Sequence, residues 1–285
     1  MIAQNFEYSS PTSLDEALRI VAGGNAKILA GGMSLIPLMK LRLAAPEHLV
    51  DLRQIPDLQG ISEERGSIRI GAMTTHFQVE SSALLRASCP LLAEAAAHIG
   101  DVQVRNMGTL GGSLAHADPA ADYPASLFAL EARVRLISAS SDRTIALGDF
   151  LVDTFTTAAE AGEMIREVIV PVEEAGTGVS YQKLLQPASG FAIVGVAARI
   201  RKAGGKISMA RVGVTGLGPM PYRAMTVENL LVGTAGSPED IKKAASVAAA
   251  GVEANSDIHA SAAYRARMAA VYAGRAIQAA VSRAA

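Results

Sequence analysis

Arg105-Asn106-Met107-Gly108-Thr109-Leu110-Gly111-Gly112-Ser113, continued by Leu114-Ala115-His116-Ala117-Asp118-Pro119-Ala120-Ala121-Asp122, is the stretch on which the reading of this chain turns. Gly108, Gly111 and Gly112, together with Thr109 and Ser113, make a backbone that an anion can approach closely, because glycine accepts φ > 0 and carries no Cβ. That is what a pyrophosphate requires. A second stretch of the same kind lies upstream: residues 26–30 read as a short buried strand, Gly31-Gly32-Met33-Ser34 as a tight turn, and residues 35–43 as an apolar helical run. Strand, glycine turn and helix start bring free N–H groups and the positive end of a helix dipole to one place. Two such loops about 75 residues apart point to a long ligand gripped along its length, such as a dinucleotide.

The chain has 285 residues, which sets a prior of about two domains, and half of them are hydrophobic, ample for a sizeable core. A net charge of −1 with both signs scattered throughout disfavours nucleic acid or an anionic membrane as the partner. The first residues lack a basic segment followed by an apolar one, and no stretch approaches the roughly 18 uninterrupted apolar residues of a transmembrane helix. A cytoplasmic protein without an integral membrane segment is expected. Cys89 is the only cysteine, so the chain forms no internal disulfide and cannot by itself hold a Cys-ligated iron–sulfur cluster. Iron–sulfur chemistry, if present, belongs to a partner. His48, His76, His98, His116 and His259 show no metal-ligand spacing and read as surface or hydrogen-bonded side chains, with the lining of a cofactor cleft an alternative for His116 alone, just after Gly112.

Ser13 with Glu16 three residues on forms a capping box for a helix over 14–22 that Gly23-Gly24 stops. A strand at 48–52 completes a βαβ-like unit, and the polar stretch 54–66 reads as a subdomain boundary. A strand at 67–72, a helix capped by Thr74-Thr75, an alanine-rich helix at 91–99, a helix at 122–130 and strands at 133–138, 144–146 and 164–170 make a mixed middle unit. Residues 172–178 read as a linker. Strands at 179–185, 191–200 and 207–215, the last two joined by Gly204-Gly205, predict a three-stranded sheet, followed by helices at 226–231, 238–254 and 261–280. The fold class is α+β.

Other motifs read as structural. Gly213-Val214-Thr215-Gly216-Leu217-Gly218 imitates a nucleotide fingerprint, but Pro219 and Pro221 stand where its helix should begin, so it is a strand end and turn. Ser113, His116 and Asp118 are close in sequence without a nucleophile elbow, which argues against a hydrolase. Tyr264, Met268, Val271 and Tyr272 recur at helical spacing as core or interface, and Arg265, Arg267 and Arg275 read as a solvated face. Lys183 alone reads as a solvated cation on a strand.

With Ala30-Gly31-Gly32-Met33-Ser34-Leu35, the run from Ile99 to Ser113 and Asp118-Pro119-Ala120-Ala121-Asp122 on the page, the chain resembles the FAD-binding medium subunits of aerobic carbon monoxide dehydrogenase and of the wider xanthine dehydrogenase family of molybdenum hydroxylases. The resemblance covers essentially the whole chain. It implies two FAD-binding subdomains of the vanillyl-alcohol-oxidase type, about 1–56 and 57–175, and a C-terminal domain from 176 to 285. It also implies that Lys27, Ile28, Leu29, Ala30, Gly31, Gly32, Met33, Ser34 and Leu35 hold FAD with Thr109, Gly111, Gly112 and Ser113, and that Ile99, Asp118, Asp122, Ile165 and Lys183 join them. On this reading backbone amides of both loops neutralise the diphosphate, Asp122 accepts a bond from the cofactor, and Lys183 stabilises charge at the flavin ring. No catalytic or metal-ligating residue is expected on this chain. The implied partners are a large molybdenum-pterin subunit, a small subunit with [2Fe–2S] clusters and an external electron acceptor, in a dimer of heterotrimers. Two other classes compete: a stand-alone flavin oxidoreductase, and an assembly protein that retains no FAD.

Overall fold

The computed structural model describes residues 2–284. Ser13 caps the first helix, Leu14–Ala22, by accepting the Glu16 amide, and the helix buries Leu14, Ala17, Leu18 and Val21. That stripe packs on a parallel three-stranded sheet in the order Glu7–Ser9, His48–Asp51, Ala26–Leu29. Apolar residues three and four apart line one helix face, and burying them is what holds so small a sheet. The helix after the first glycine turn is shorter than its apolar run: Leu35–Lys40, ended where Arg42 enters the left-handed region at φ 60°.

The polar stretch 54–66, read as a subdomain boundary, is itself structured. It holds a 3₁₀ turn, Pro56–Leu58, and a strand, Ile61–Glu64, which pairs with Ser67–Gly71 through Arg65 and Gly66 at φ 51° and 75°. Two left-handed residues in a row make the tight turn whose twist matches a hairpin. These strands open an antiparallel five-stranded sheet that continues with Met164–Pro171, Arg133–Ile137 and Asp142–Ala146. Across its middle, Glu167 is held by Arg69 at 2.5 Å and Arg135 at 3.0 Å.

Residues 172–178 are not a free linker. Arg199 donates to both Glu173 carboxylate oxygens at 2.9 and 2.8 Å, and the Glu173 amide bonds Ser88. The C-terminal sheet has four strands, not three: Thr177–Leu185, Ala192–Ala203, Lys206–Thr215 and the short Tyr222–Arg223, too brief to leave a periodic signal. The helix Ala262–Arg283 covers one face, and the helix Tyr123–Ala129 of the middle unit packs on Ala192–Ala203 and Lys206–Thr215. Gly213 makes that second contact close, since a Cβ there would strike the Ala125 carbonyl. The helix expected over 238–254 ends at Ala245, and turns carry the chain to Gly251 at φ 76°.

The expected solvated arginine face is corrected at Arg265. Its guanidinium is buried and donates to the carbonyls of Ile193 at 2.7 Å and Gly216 at 2.8 Å and to Asp257 at 2.6 Å, which fixes the helix Ala262–Arg283 to the strand ends. Arg267 is exposed, and Arg275 lies over the Tyr272 ring. Met268 and Tyr272 join the C-terminal core, while Tyr264 and Val271 face outward. Among the described residues no helix is long and apolar enough to cross a membrane.

Candidate functional site

The two glycine stretches meet. A Cβ on Gly31 would collide with the Met107 carbonyl and come within 2.7 Å of Gly108 Cα, and one on Gly112 would come within 3.3 Å of Ala30 Cβ. Only residues without side chains allow two backbones so near. The second stretch is not a loop, as the sequence had implied: it is the junction of two helices, Val102–Met107 and Leu110–His116.

The two stretches divide their work unequally. In the first, the amides of Gly31, Gly32, Met33, Ser34 and Leu35 find no acceptor among the described residues. Ser34 makes no side-chain capping bond, and its hydroxyl finds no partner among the described residues. In the second, Gly108 N–H is taken by Val104, Leu110 by Thr74, Gly111 by Ala72, Gly112 by the Thr109 hydroxyl and Ser113 by the Thr109 carbonyl. Of that run only the Thr109 amide has no partner among the described residues. The expectation that both loops present their amides is therefore corrected. The glycines of the second serve close packing, Gly111 against Ala72 and Gly108 against His76, while the first keeps a run of unpaired donors. Unpaired backbone donors want an acceptor, and a run of them without an acidic side chain makes an anion cradle.

Around this cradle Lys27 is exposed at the strand edge, and its charge, after burial, helps hold the His116 pKa below the ordinary value. Ile28 and Leu29 turn their side chains into apolar clusters. Asp118 accepts the Ala120 amide at 2.8 Å, shaping the turn to Asp122. Ile165 is buried in the middle core on a strand that the helix Leu110–His116 packs against.

Asp122 and Lys183 lie together, 2.8 Å apart, with side chains 5% and 1% exposed. Lys183 also donates to the carbonyl of His98, next to Ile99, at 2.8 Å. Arg105 in turn bonds the Ile99 and Gly100 carbonyls at 3.1 and 3.2 Å and pairs with Glu80. Asp122, expected to accept from a ligand, accepts within the chain from Tyr181 through one oxygen and from Lys183 through the other. Burial pushes the Asp122 carboxyl up from its usual range, and those two donors oppose the push. The C-terminal sheet grips the same turn through Thr215, whose hydroxyl lies 2.8 Å from the Pro119 carbonyl and 2.7 Å from that of Ala121.

Residues 4–173 match the family of FAD binding domains in molybdopterin dehydrogenases, and residues 179–280 the CO dehydrogenase flavoprotein C-terminal domain. The chain belongs to the molybdopterin dehydrogenase FAD-binding family. It is 41% identical to the carbon monoxide dehydrogenase medium chain of Hydrogenophaga pseudoflava, over 99% of each chain. It superimposes on the solved carbon monoxide dehydrogenase of that organism with a TM-score of 0.97 at 42% identity, covering all of both chains. Quinoline 2-oxidoreductase from Pseudomonas putida 86 matches with a TM-score of 0.95 at 34% identity, over 100% of this chain and 99% of that one. The chain is thus an FAD-binding subunit of the molybdenum hydroxylase class of oxidoreductases.

Within this FAD-binding family member, sequence reasoning missed Tyr181 and His76. Tyr181 stands two residues before Lys183 on one strand, a same-face spacing that was legible. His76, with Nδ1 3.1 Å from the Tyr123 hydroxyl, is packed beneath Gly108, a long-range contact with no local signal.

Proposed function

We propose that this chain is the electron-relay subunit of a molybdenum hydroxylase, binding FAD by its diphosphate over the Gly31–Leu35 amides. The observation that carries this reading is the run of unpaired amides, backed by the glycine contact between two stretches far apart in sequence. FAD, when bound, supplies a centre that accepts electrons singly and releases them as a pair. The residues of the chain hold and orient it. Gly31, Gly32, Met33, Ser34 and Leu35 donate to the diphosphate, with the Ser34 and Ser113 hydroxyls beside them. Lys27, Ala30, Thr109, Gly111 and Gly112 build the cradle. Ile99, Asp122 and Lys183 border the far end, where the ammonium places positive charge against a ring that gains electrons. Ile28, Leu29, Asp118 and Ile165 shape the walls from within.

On this reading electrons arrive from [2Fe–2S] clusters on a small partner, after a large partner with the molybdenum-pterin group has oxidised the substrate, and they leave to an external acceptor. The lone, buried Cys89 agrees with that division, since it leaves the chain without cluster ligands. The assembly is a dimer of heterotrimers in the cytoplasm, with FAD-binding subdomains about 1–56 and 57–175 and a C-terminal domain from 176. Substrate choice then lies on the large partner, and the relatives' names, which span carbon monoxide and quinoline, accord with a shared flavin subunit serving different chemistries.

A retention experiment tests the diphosphate grip. After dialysis, the protein should keep one FAD per chain while FMN, with a single phosphate, washes out. Equal retention of both would contradict the cradle.

A further inference from the structure

Tyr181 and Lys183 share one face of the strand Thr177–Leu185 and both reach Asp122, at the mouth of a helix in the other domain. The Tyr181 hydroxyl donates to Asp122 Oδ1 at 2.6 Å. Lys183 Nζ lies 2.8 Å from Oδ1 and 2.9 Å from Oδ2, and 2.8 Å from the His98 carbonyl oxygen. The two oxygens of one carboxylate subtend too narrow an angle at nitrogen for two tetrahedral N–H bonds to aim at both. The carboxylate therefore takes one N–H and His98 a second. The third has no acceptor among the described residues, on a side chain only 1% exposed. A buried ammonium donor left unpaired is costly, so it marks the place of an acceptor from outside the chain.

The slot that holds Tyr181 is built for it. On the neighbouring strand, Gly195 leaves the space the phenol fills, since a Cβ there would lie 3.1 Å from Tyr181 Cζ and closer still to its hydroxyl oxygen. On another side the His98 ring meets the Tyr181 ring edge-on, with centroids 5.6 Å apart. A hydroxyl held this way fixes the rotation of the Asp122 carboxylate, and the carboxylate fixes the ammonium.

We infer that Tyr181 is a positioning residue for the flavin: by locking Asp122 it aims the third N–H of Lys183 at an oxygen or nitrogen acceptor of bound FAD. This rests on the FAD-binding reading above. Without the hydroxyl the carboxylate turns, the ammonium follows it away from the ligand, and the negative charge of Asp122 is less well balanced. Both changes disfavour added electron density on the ring.

The test uses the complex purified from its own host with Tyr181→Phe, Lys183→Met and the double substitution, reading FAD dissociation constant, flavin midpoint potential and melting temperature. Tyr181→Phe should weaken FAD binding roughly three- to tenfold, the worth of one hydrogen bond, and should lower the midpoint potential in the same direction as Lys183→Met. The double variant should be no worse than Lys183→Met alone, because the hydroxyl acts through the lysine. Gly195→Ala, which displaces the phenol without removing it, should move the potential the same way and serves if Tyr181→Phe fails to fold. Wild-type affinity and potential in Tyr181→Phe, or effects that simply add in the double variant, would make Tyr181 a packing residue and overturn the inference. A wild-type complex without FAD would instead defeat the functional reading beneath it.

Discussion

A Cβ atom on Gly31 would lie 2.7 Å from Gly108 Cα, so two glycines far apart in sequence form one contact at the floor of the cradle. Neither partner in that contact is a flexible side-chain end, so a methyl group there forces the two backbones apart. Gly31→Ala should cost about 1–3 kcal/mol, the range of overpacking, and should strip FAD from the chain. The ratio of flavin absorbance to protein, with a melting curve, checks both. A Gly31→Ala protein with full flavin would remove the close approach from the account.

His76 makes stability depend on pH. Burial, with Arg105 near, holds its pKa down to about 4 from an ordinary 6.5, so the folded protein keeps the imidazole neutral. The unfolded chain takes up a proton as pH falls through 6.5 and the folded one does not until about 4, so stability is lost across that window. The loss at pH 4.5 relative to pH 7 is about 2–3 kcal/mol from this group. His76→Gln keeps a polar partner for Tyr123 without the titration, and urea unfolding at the two pH values should show that much less acid sensitivity. Equal sensitivity in both proteins would contradict the neutral buried imidazole.

Cys89 should be silent toward thiol reagents. It is fully buried, and burial, reinforced by Glu173, pushes its thiol up to about 12, far from the thiolate that reacts. Labelling at pH 8 should follow unfolding, rising only with denaturant. Rapid labelling of the native protein would show that the core around it opens.

What the sequence disclosed follows the range of the interactions involved. Ser13, Thr75 and Gly204-Gly205 announce their helix caps and turn locally, and the structure keeps all three, although the Glu16 carboxylate takes the Thr12 amide and leaves the capping box expected at Ser13 half formed. The glycine motifs announced an anion site, but not that the amides of Gly108, Leu110, Gly111 and Gly112 are already spent on Val104, Thr74, Ala72 and Thr109. That depends on which backbone packs beneath them, a long-range fact. Arg265 was misread for the same reason: on a helix its charge says surface, and only the docking of two strand ends supplies the carbonyls that bury it. The strand Tyr222–Arg223 has two residues and no period to detect.

Arg265→Met would test that correction. It leaves the carbonyls of Ile193 and Gly216 without donors in the interior, which costs on the order of 3 kcal/mol. Urea unfolding should show the loss, whereas Arg267→Met, at an exposed position on the same helix, should stay within about 0.5 kcal/mol of wild type. Equal effects would return Arg265 to the surface.

The most direct test of the electron-relay account is an absorption spectrum of protein purified from its own host, read beside denaturing electrophoresis. The account predicts a flavin band superimposed on iron–sulfur absorbance, with one larger and one smaller chain co-purifying. A single chain that turns over with flavin alone, or a preparation with no flavin, would contradict it.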